Sequence, residues 1–369
     1  ISLMRGSCMT SLWRGSTPMR FSSSEADRRI IAESVMKLGG RPRENLPREQ
    51  LQSLLRMPDT VLVRDREAAT VTKVANALSK GIEIEKDEVR AALLWEAAAR
   101  KGDIHAAYSF AMARYSGAGV EAEPEAAAAS LETLAESGHS GAQYATAGIL
   151  LKRYGGWEAQ AGVGGRREGE NQDEGGKVVA EEAAAAVEAA HQHALSLYKS
   201  AAKGGVVPAI HNVGNMYATG LPGIPQDEGK AKKWYEAGAE SGDPFSMFTL
   251  ATWACAGTGG EEDLELGFRW HEAAAQSGLP RAQFNTGSHY LSGKGVDQDY
   301  EKAAEWFKLA AEKGMPEACV NLAEMCRLGL GMPSPQLKDA RHWLTRAVAL
   351  GDPMAEEMLE QLAKEEAAA

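Results

Sequence analysis

Two Ser-x-x-Lys strings, Ser34 to Lys37 and Ser196 to Lys199, are the first places in this sequence where types and spacing could do chemistry, as a serine nucleophile with a nearby lysine. Neither comes with the Ser-Asp-Asn and Lys-Thr-Gly companions that this chemistry requires. His191 and His193 stand two apart and would point away from each other on a helix, so they make no metal-ligand pair. Of the four cysteines, Cys8, Cys255, Cys319 and Cys326, the last two share a helical face among small apolar positions and read as buried, inert thiols. The Gly-x-Gly turns lack the preceding strand of a phosphate loop. Carboxylates are plentiful, but nothing in the sequence brings two together in a dry cleft. No catalytic residue, cofactor site or metal site is expected, and the chain reads as a non-enzyme.

The elements that carry these residues should be helices. With 44% hydrophobic, 25% charged and 7% aromatic residues in 369, the chain is rich in Ala, Glu, Lys and Leu, which lose little side-chain freedom in a helix. Aligning the chain with itself exposes a period of about 36 residues. A bulky pair recurs at Leu94-Trp95, Ser130-Leu131, Leu197-Tyr198, Trp234-Tyr235, Trp270-His271, Trp306-Phe307 and Trp343-Leu344, the first members lying 36, 67, 37, 36, 36 and 37 residues apart. Small apolar positions follow four and five residues on, as at Ala310-Ala311, and a glycine eight residues on, from Gly102 to Gly351, suits the left-handed residue that closes a helix. A first helix then begins, with Ala106, Ala142, Ala209, Ala282 and Ala318 in register, and stops at turns such as Ser292-Gly293-Lys294-Gly295-Val296. Asp227 and Asp299 stand where an N-cap restarts the second helix. The recurring tryptophans read as core wedges, so Trp270→Ala or Trp306→Ala is expected to cost about 3 to 5 kcal/mol.

The string Ala-Gln-Phe-Asn-Thr-Gly-Ser-His-Tyr-Leu-Ser-Gly-Lys-Gly-Val at 282–296, with Asp299, Lys302-Ala303 and Trp306-Phe307, resembles a Sel-1-like repeat, a relative of the tetratricopeptide repeat. The resemblance covers residues 65–351 in seven units and is strongest from Val206 to Gly351. It implies an all-α fold, a right-handed α-solenoid of antiparallel helix pairs. The third unit is stretched by an insertion, 155–190, whose Gly155 to Lys177 part is too rich in glycine and charge to order itself, while Glu181 to Ala190 should extend a helix. Residues 25–64 form a helical N-terminal arm or cap, and 352–369 a C-terminal capping helix and tail with Glu356, Glu357 and Glu360 facing water. Some bacterial members of the family are linked to penicillin binding and β-lactam hydrolysis, which makes a serine hydrolase the different-class alternative. They staple each unit with a cysteine pair that is missing here.

Residues 4–24 hold Arg5, Arg14 and Arg20, several Ser and Thr and no acidic residue, the composition of a mitochondrial targeting peptide over 1–24. Met4 reads as the initiator. Trp13-Arg14-Gly15 breaks the one apolar run a secretory signal would use, no Asn-x-Ser/Thr acceptor occurs, and no stretch approaches the roughly 18 to 20 apolar residues of a membrane span. The matrix is the expected location, with plastid and cytosol as alternatives. The net charge of −11 is uneven: residues 1–66 carry 12 Lys/Arg against 7 Asp/Glu, the remainder 28 against 44. The acidic body should repel nucleic acid, whereas a basic arm of Arg28, Arg29, Arg41, Arg43 and Arg48 could touch RNA or an acidic protein.

What the resemblance implies is a protein-interaction scaffold, either a mitochondrial assembly factor or an accessory subunit of a respiratory or ribosomal complex. An endoplasmic-reticulum quality-control adaptor is the competing adaptor reading. Two residues after the recurring Ala come Tyr108, Tyr144, His211, Phe248, Phe284 and Val320, positions that in related arrays lie near a concave face. They could seat a partner helix or extended peptide, with Asn215, Ser288 and Glu324 among the polar neighbours and Asn212, Asn285 and Asn321 beside them. The alternative is that these bulky residues are inter-helix core.

Overall fold

The computed structural model describes residues 47–81, 84–155 and 174–368. The targeting segment, Ser34, Arg28, Arg29, Arg41, Arg43 and most of the glycine-rich insertion lie outside these residues. Seventeen helices form among the described residues. In order they are α1 (Arg48–Leu55), α2 (Asp59–Asp65), α3 (Ala68–Lys80), α4 (Glu88–Arg100), α5 (Ile104–Ser116), α6 (Pro124–Glu136), α7 (Ser140–Arg153), α8 (Glu174–Lys203), α9 (Val207–Thr219), α10 (Glu228–Glu240), α11 (Pro244–Ala256), α12 (Leu264–Gln276), α13 (Pro280–Ser292), α14 (Tyr300–Glu312), α15 (Pro316–Leu328), α16 (Leu337–Ala349) and α17 (Ala355–Ala368). No named strand occurs among them, and the one isolated bridge joins Leu221 and Ile224.

The punctuation follows the expected chemistry. Gly102, Gly138, Gly205, Gly242, Gly278, Gly314 and Gly351 all close second helices with φ between +82° and +89°. Asp299 caps α14 by accepting from the Lys302 amide at 3.0 Å, and Asp227 does the same for the Lys230 amide at 2.8 Å. At Gly295, φ +73°, a Cβ would overlap the Leu264 carbonyl oxygen, so only glycine lets this turn close against the start of α12.

The chain divides into two compact units, with the division in the sequence between Ala231 and Lys232. In the first, helices from α3 to α9 pack each on the next in sequence, an antiparallel solenoid arrangement that short connections set everywhere except between α7 and α8, where the insertion intervenes. Leu51, Leu54 and Leu62 of α1 and α2 are buried with Val71, Val74, Leu78, Leu94 and Trp95, so these short helices cover the first pair. The helix expected in the second part of the insertion starts earlier than Glu181: α8 begins at Glu174, ahead of Lys177, and runs for 30 residues. In the second unit α11 to α17 also pack successively, around Phe307, Leu322, Met325, Leu344 and Leu362. Glu356, Glu357 and Glu360 of α17 are exposed while Ala355 and Leu362 are fully buried.

The tryptophan expectation needs correction. Trp95 and Trp234 are buried, but Trp270, Trp306 and Trp343 are only half-buried, and the fully packed member is the second of each pair, Phe307 at 0% and Leu344 at 2% exposure. The reason is helical geometry. Ala303, Phe307, Ala310 and Ala311, all at 0%, lie at i, i+4, i+7 and i+8 on one face, and Trp306 sits about 100° round from Phe307 at that face's edge.

Candidate functional site

The nine candidate binding residues lie on first helices. In the first unit they are Tyr108 on α5, Tyr144 on α7, and His211 and Asn215 on α9; in the second, Phe248 on α11, Phe284 and Ser288 on α13, and Val320 and Glu324 on α15. All nine are half-buried. Their aromatic rings lean on residues of the capping turn or second helix: Tyr108 on His139 at 4.9 Å between centroids, Tyr144 on Tyr198 at 5.5 Å, Phe248 on His271 at 5.4 Å and Phe284 on Phe307 at 5.5 Å. Each ring therefore contributes both to inter-helix packing and to the surface. The polar neighbours are engaged in part. The Asn212 amide donates to the Tyr144 hydroxyl at 3.4 Å, the Ser288 hydroxyl to the Phe284 carbonyl at 3.0 Å, and Glu324 pairs with Arg327 at 2.6 Å. Around Tyr144 a shallow groove of about 280 Å³ opens between Met112, Tyr115, Ile149, Lys152 and Tyr198.

Among the described residues the sequence's other chemical candidates do not assemble. Ser196 donates to the His193 carbonyl at 2.7 Å, whereas Lys199 reaches the Tyr217 hydroxyl at 2.8 Å. His191 is buried and His193 exposed, on opposite sides of α8. Cys319 and Cys326 are buried in the apolar core of the second unit, and burial pushes the Cys326 thiol up to about 11.

A different constellation does come together, inside the second unit. Cys255 on α11, His271 on α12 and His289 on α13 place one sulphur and two ring nitrogens within 4.8 Å of one another. His271 Nδ1 lies 3.1 Å from His289 Nε2, and Cys255 Sγ lies 3.9 Å from that same nitrogen. The outward nitrogens are held as well: His289 Nδ1 meets the Lys294 carbonyl at 2.7 Å and His271 Nε2 meets the Asn285 side-chain amide at 2.9 Å. A carbonyl only accepts, so His289 carries its proton on Nδ1 and turns the lone pair of Nε2 inward. The imidazoles are 3% and 9% exposed, Cys255 is half-buried, and Phe268 packs edge-on against His289 at 5.8 Å. Burial, reinforced by His289, lowers the His271 pKa to about 3; burial also lowers that of His289, so both rings are neutral at physiological pH.

The sequence reading missed this cluster because its members are 16 and 18 residues apart on three helices, outside every local ligand motif. The repeat frame held the signal. His271 occupies the second-pair position that is Tyr198, Tyr235, Phe307 or Leu344 elsewhere, and His289 the position filled by Met216, Trp253 and Met325. Where the other units have Ala91, Ala127, Ala194, Ala231, Ala303 and Ala340, this one has Gly267, and a Cβ there would overlap Cys255 Sγ.

Successive helix pairs closed by left-handed glycines define the class as an α-solenoid repeat protein. The Sel1 repeat model matches residues 72–103, 180–206, 207–243, 244–279, 280–315 and 316–352, more than half of the chain, and the chain belongs to this family. From residue 207 onward each matched segment takes in one first helix and the second helix after it. Comparison with curated proteins returns no match. Among solved structures the chain is similar to c5321, a protective antigen of uropathogenic Escherichia coli with an SLR fold (22% identity, TM-score 0.61, 92% of this chain and 65% of that one). It is also similar to a Sel1 repeat protein from Oxalobacter formigenes (23% identity, TM-score 0.58, 91% and 86%). The chain thus spans about two thirds of the Escherichia coli protein's length, and at these identities the likeness is one of fold.

Proposed function

We propose that this protein is a non-catalytic interaction scaffold whose first-helix faces hold a helix or extended segment of a protein partner. The observation that carries this reading is the groove beside Tyr144, where the half-buried Tyr115 and Tyr144 put aromatic surface and hydroxyls at one place on a repeat framework, with the buried ring of Tyr198 packed against Tyr144 beneath them. Aromatic side chains bury much area at little entropic cost and often anchor interfaces. The scaffold is assigned to the mitochondrial matrix on the arginine-rich, acid-free composition of residues 4–24, as an assembly factor or accessory subunit of a large complex. Residues Arg28, Arg29, Arg41, Arg43 and Arg48 provide a second contact for RNA or an acidic protein. Among the described residues no helix is long and apolar enough to cross a membrane.

The test is affinity purification with proximity labelling of the full-length protein, of a copy lacking residues 1–24, and of Tyr115→Ala/Tyr144→Ala. The scaffold reading expects a mitochondrial complex whose recovery drops at least tenfold in the double variant while its helical circular dichroism is unchanged. A partner set indifferent to both tyrosines refutes the groove, and a cytosolic harvest unaffected by the deletion refutes the location.

A further inference from the structure

We propose that Cys255, His271 and His289 form a binding site for one zinc-class divalent transition-metal ion, ligated by Cys255 Sγ, His271 Nδ1 and His289 Nε2, with a fourth position left to water or a partner's donor. Soft thiolate with two imidazoles is a donor set for such an ion, and three protein ligands plus an open position is the pattern of accessible zinc sites.

Distance is the first support. With metal–nitrogen bonds of about 2.0 to 2.1 Å and a metal–sulphur bond of about 2.3 Å, a tetrahedral ion separates its donors by roughly 3.3 to 3.6 Å. The cluster shows 3.1 Å between the nitrogens and 3.9 Å between sulphur and His289 Nε2, each within a few tenths of an ångström of those values, while the third edge, from sulphur to His271 Nδ1, lies within 4.8 Å and closes as the half-buried Cys255 side chain turns toward the ion.

The outward hydrogen bonds are the second support. A metal-ligating histidine usually donates its other N–H to a carbonyl or carboxylate, which fixes the tautomer and aims the lone pair. The Lys294 carbonyl already does this for His289. For His271 the partner is the Asn285 amide, which serves either tautomer by presenting its nitrogen or its oxygen, the two being interchangeable by a flip. Binding then exchanges the Cys255 S–H bond for a sulphur–metal bond and releases one proton to solvent.

The third support is independent of ligand geometry. Two buried imidazoles are a poor substitute for packed apolar residues, because polar groups cost free energy on leaving water. The corresponding pairs in the flanking repeats are apolar: Tyr235 and Trp253 stack edge-to-face at 5.3 Å, and Phe307 and Met325 are both fully buried. Only the unit with both histidines also exchanges alanine for glycine at 267, and that glycine is what admits the Cys255 sulphur. Two imidazole positions and one sulphur clearance thus depart together from the repeat pattern at a single point in space.

Cobalt(II) titration of the full-length protein after chelator treatment and desalting tests the site. The expected result is one equivalent bound, with a thiolate-to-cobalt charge-transfer band in the near ultraviolet and the intense visible bands of a four-coordinate ion, and one zinc retained per chain when zinc competes. Cys255→Ala should abolish the charge-transfer band. His271→Phe and His289→Met, which install what the next repeat uses and so preserve packing, should weaken binding at least tenfold with unchanged circular dichroism. Cys326→Ala should leave the spectrum intact. Absence of a charge-transfer band in the full-length protein, its survival in Cys255→Ala, or undiminished affinity in both histidine variants would overturn the proposal.

Discussion

Gly267 and Cys255 illustrate how one missing methyl group decides a local structure. In an ordinary helix interior, replacing glycine by alanine stabilises by roughly 0.5 to 1 kcal/mol, because glycine loses more backbone freedom on folding. Here the added Cβ would overlap Cys255 Sγ and sit 3.1 Å from the Ala251 carbonyl, so Gly267→Ala should destabilise the metal-free protein despite its propensity gain. Removing the sulphur relieves the larger of those two contacts. In urea denaturation the Gly267→Ala/Cys255→Ala double variant should therefore recover stability relative to Gly267→Ala alone, and additive effects would refute the contact. Burial makes the opposite prediction for Cys326. With its pKa pushed up to about 11 from 9.0, its thiolate fraction near pH 8 falls about a hundredfold. Mass-spectrometric mapping of iodoacetamide labelling should find the Cys326 peptide at least that much slower than an exposed thiol, accelerating as pH rises toward 11; labelling at the rate of an exposed thiol would show the core to be open.

At the scale of the helix, the question is which face the repeat buries. The second helix presents Ala303, Phe307, Ala310 and Ala311 inward, and Trp306 lies at the edge of that stripe. Phe307→Ala should accordingly cost about 3 to 5 kcal/mol, and Trp306→Ala distinctly less, about 1 to 2 kcal/mol. The reverse order in thermal or urea unfolding would mean that the helix is rotated from the orientation described. This ranking also marks where the sequence stopped being legible. Glycines eight residues after the first member of each pair, and aspartates before second helices at Asp227 and Asp299, marked the element boundaries, because both act through local backbone chemistry. Choosing the buried member of two adjacent bulky residues needs the crossing of two helices, which no local signal carries, and tryptophan's size misleads. The Cys255, His271 and His289 cluster was hidden for the same reason at longer range. It joins three helices, and only a column-by-column comparison of repeats exposes polar residues in apolar columns.

Across a repeat unit, stability should follow nearest-neighbour contacts, since each helix pair touches only the pairs beside it. The end of the second unit gives the cleanest case. Leu362 and Ala355 of α17 are fully buried against a core that includes Leu344 and Ala347 of α16, while the acidic side of α17 faces water. Ending the chain at Pro353 would strip that cover and leave the α16 face as an exposed apolar patch. Hydrogen exchange of such a truncated protein should therefore rise most in α16, less in α15, and little in α13 and α12, one and two repeats inward of the last. Leu362→Ala should reproduce the same gradient at smaller amplitude, because it removes the buried side chain but keeps the helix. Uniform loss of protection from α11 to α16 would instead make the unit one cooperative block, and a change in the cobalt spectrum on truncation would show that the end cap and the Cys255, His271 and His289 cluster are coupled rather than separated by the intervening repeat.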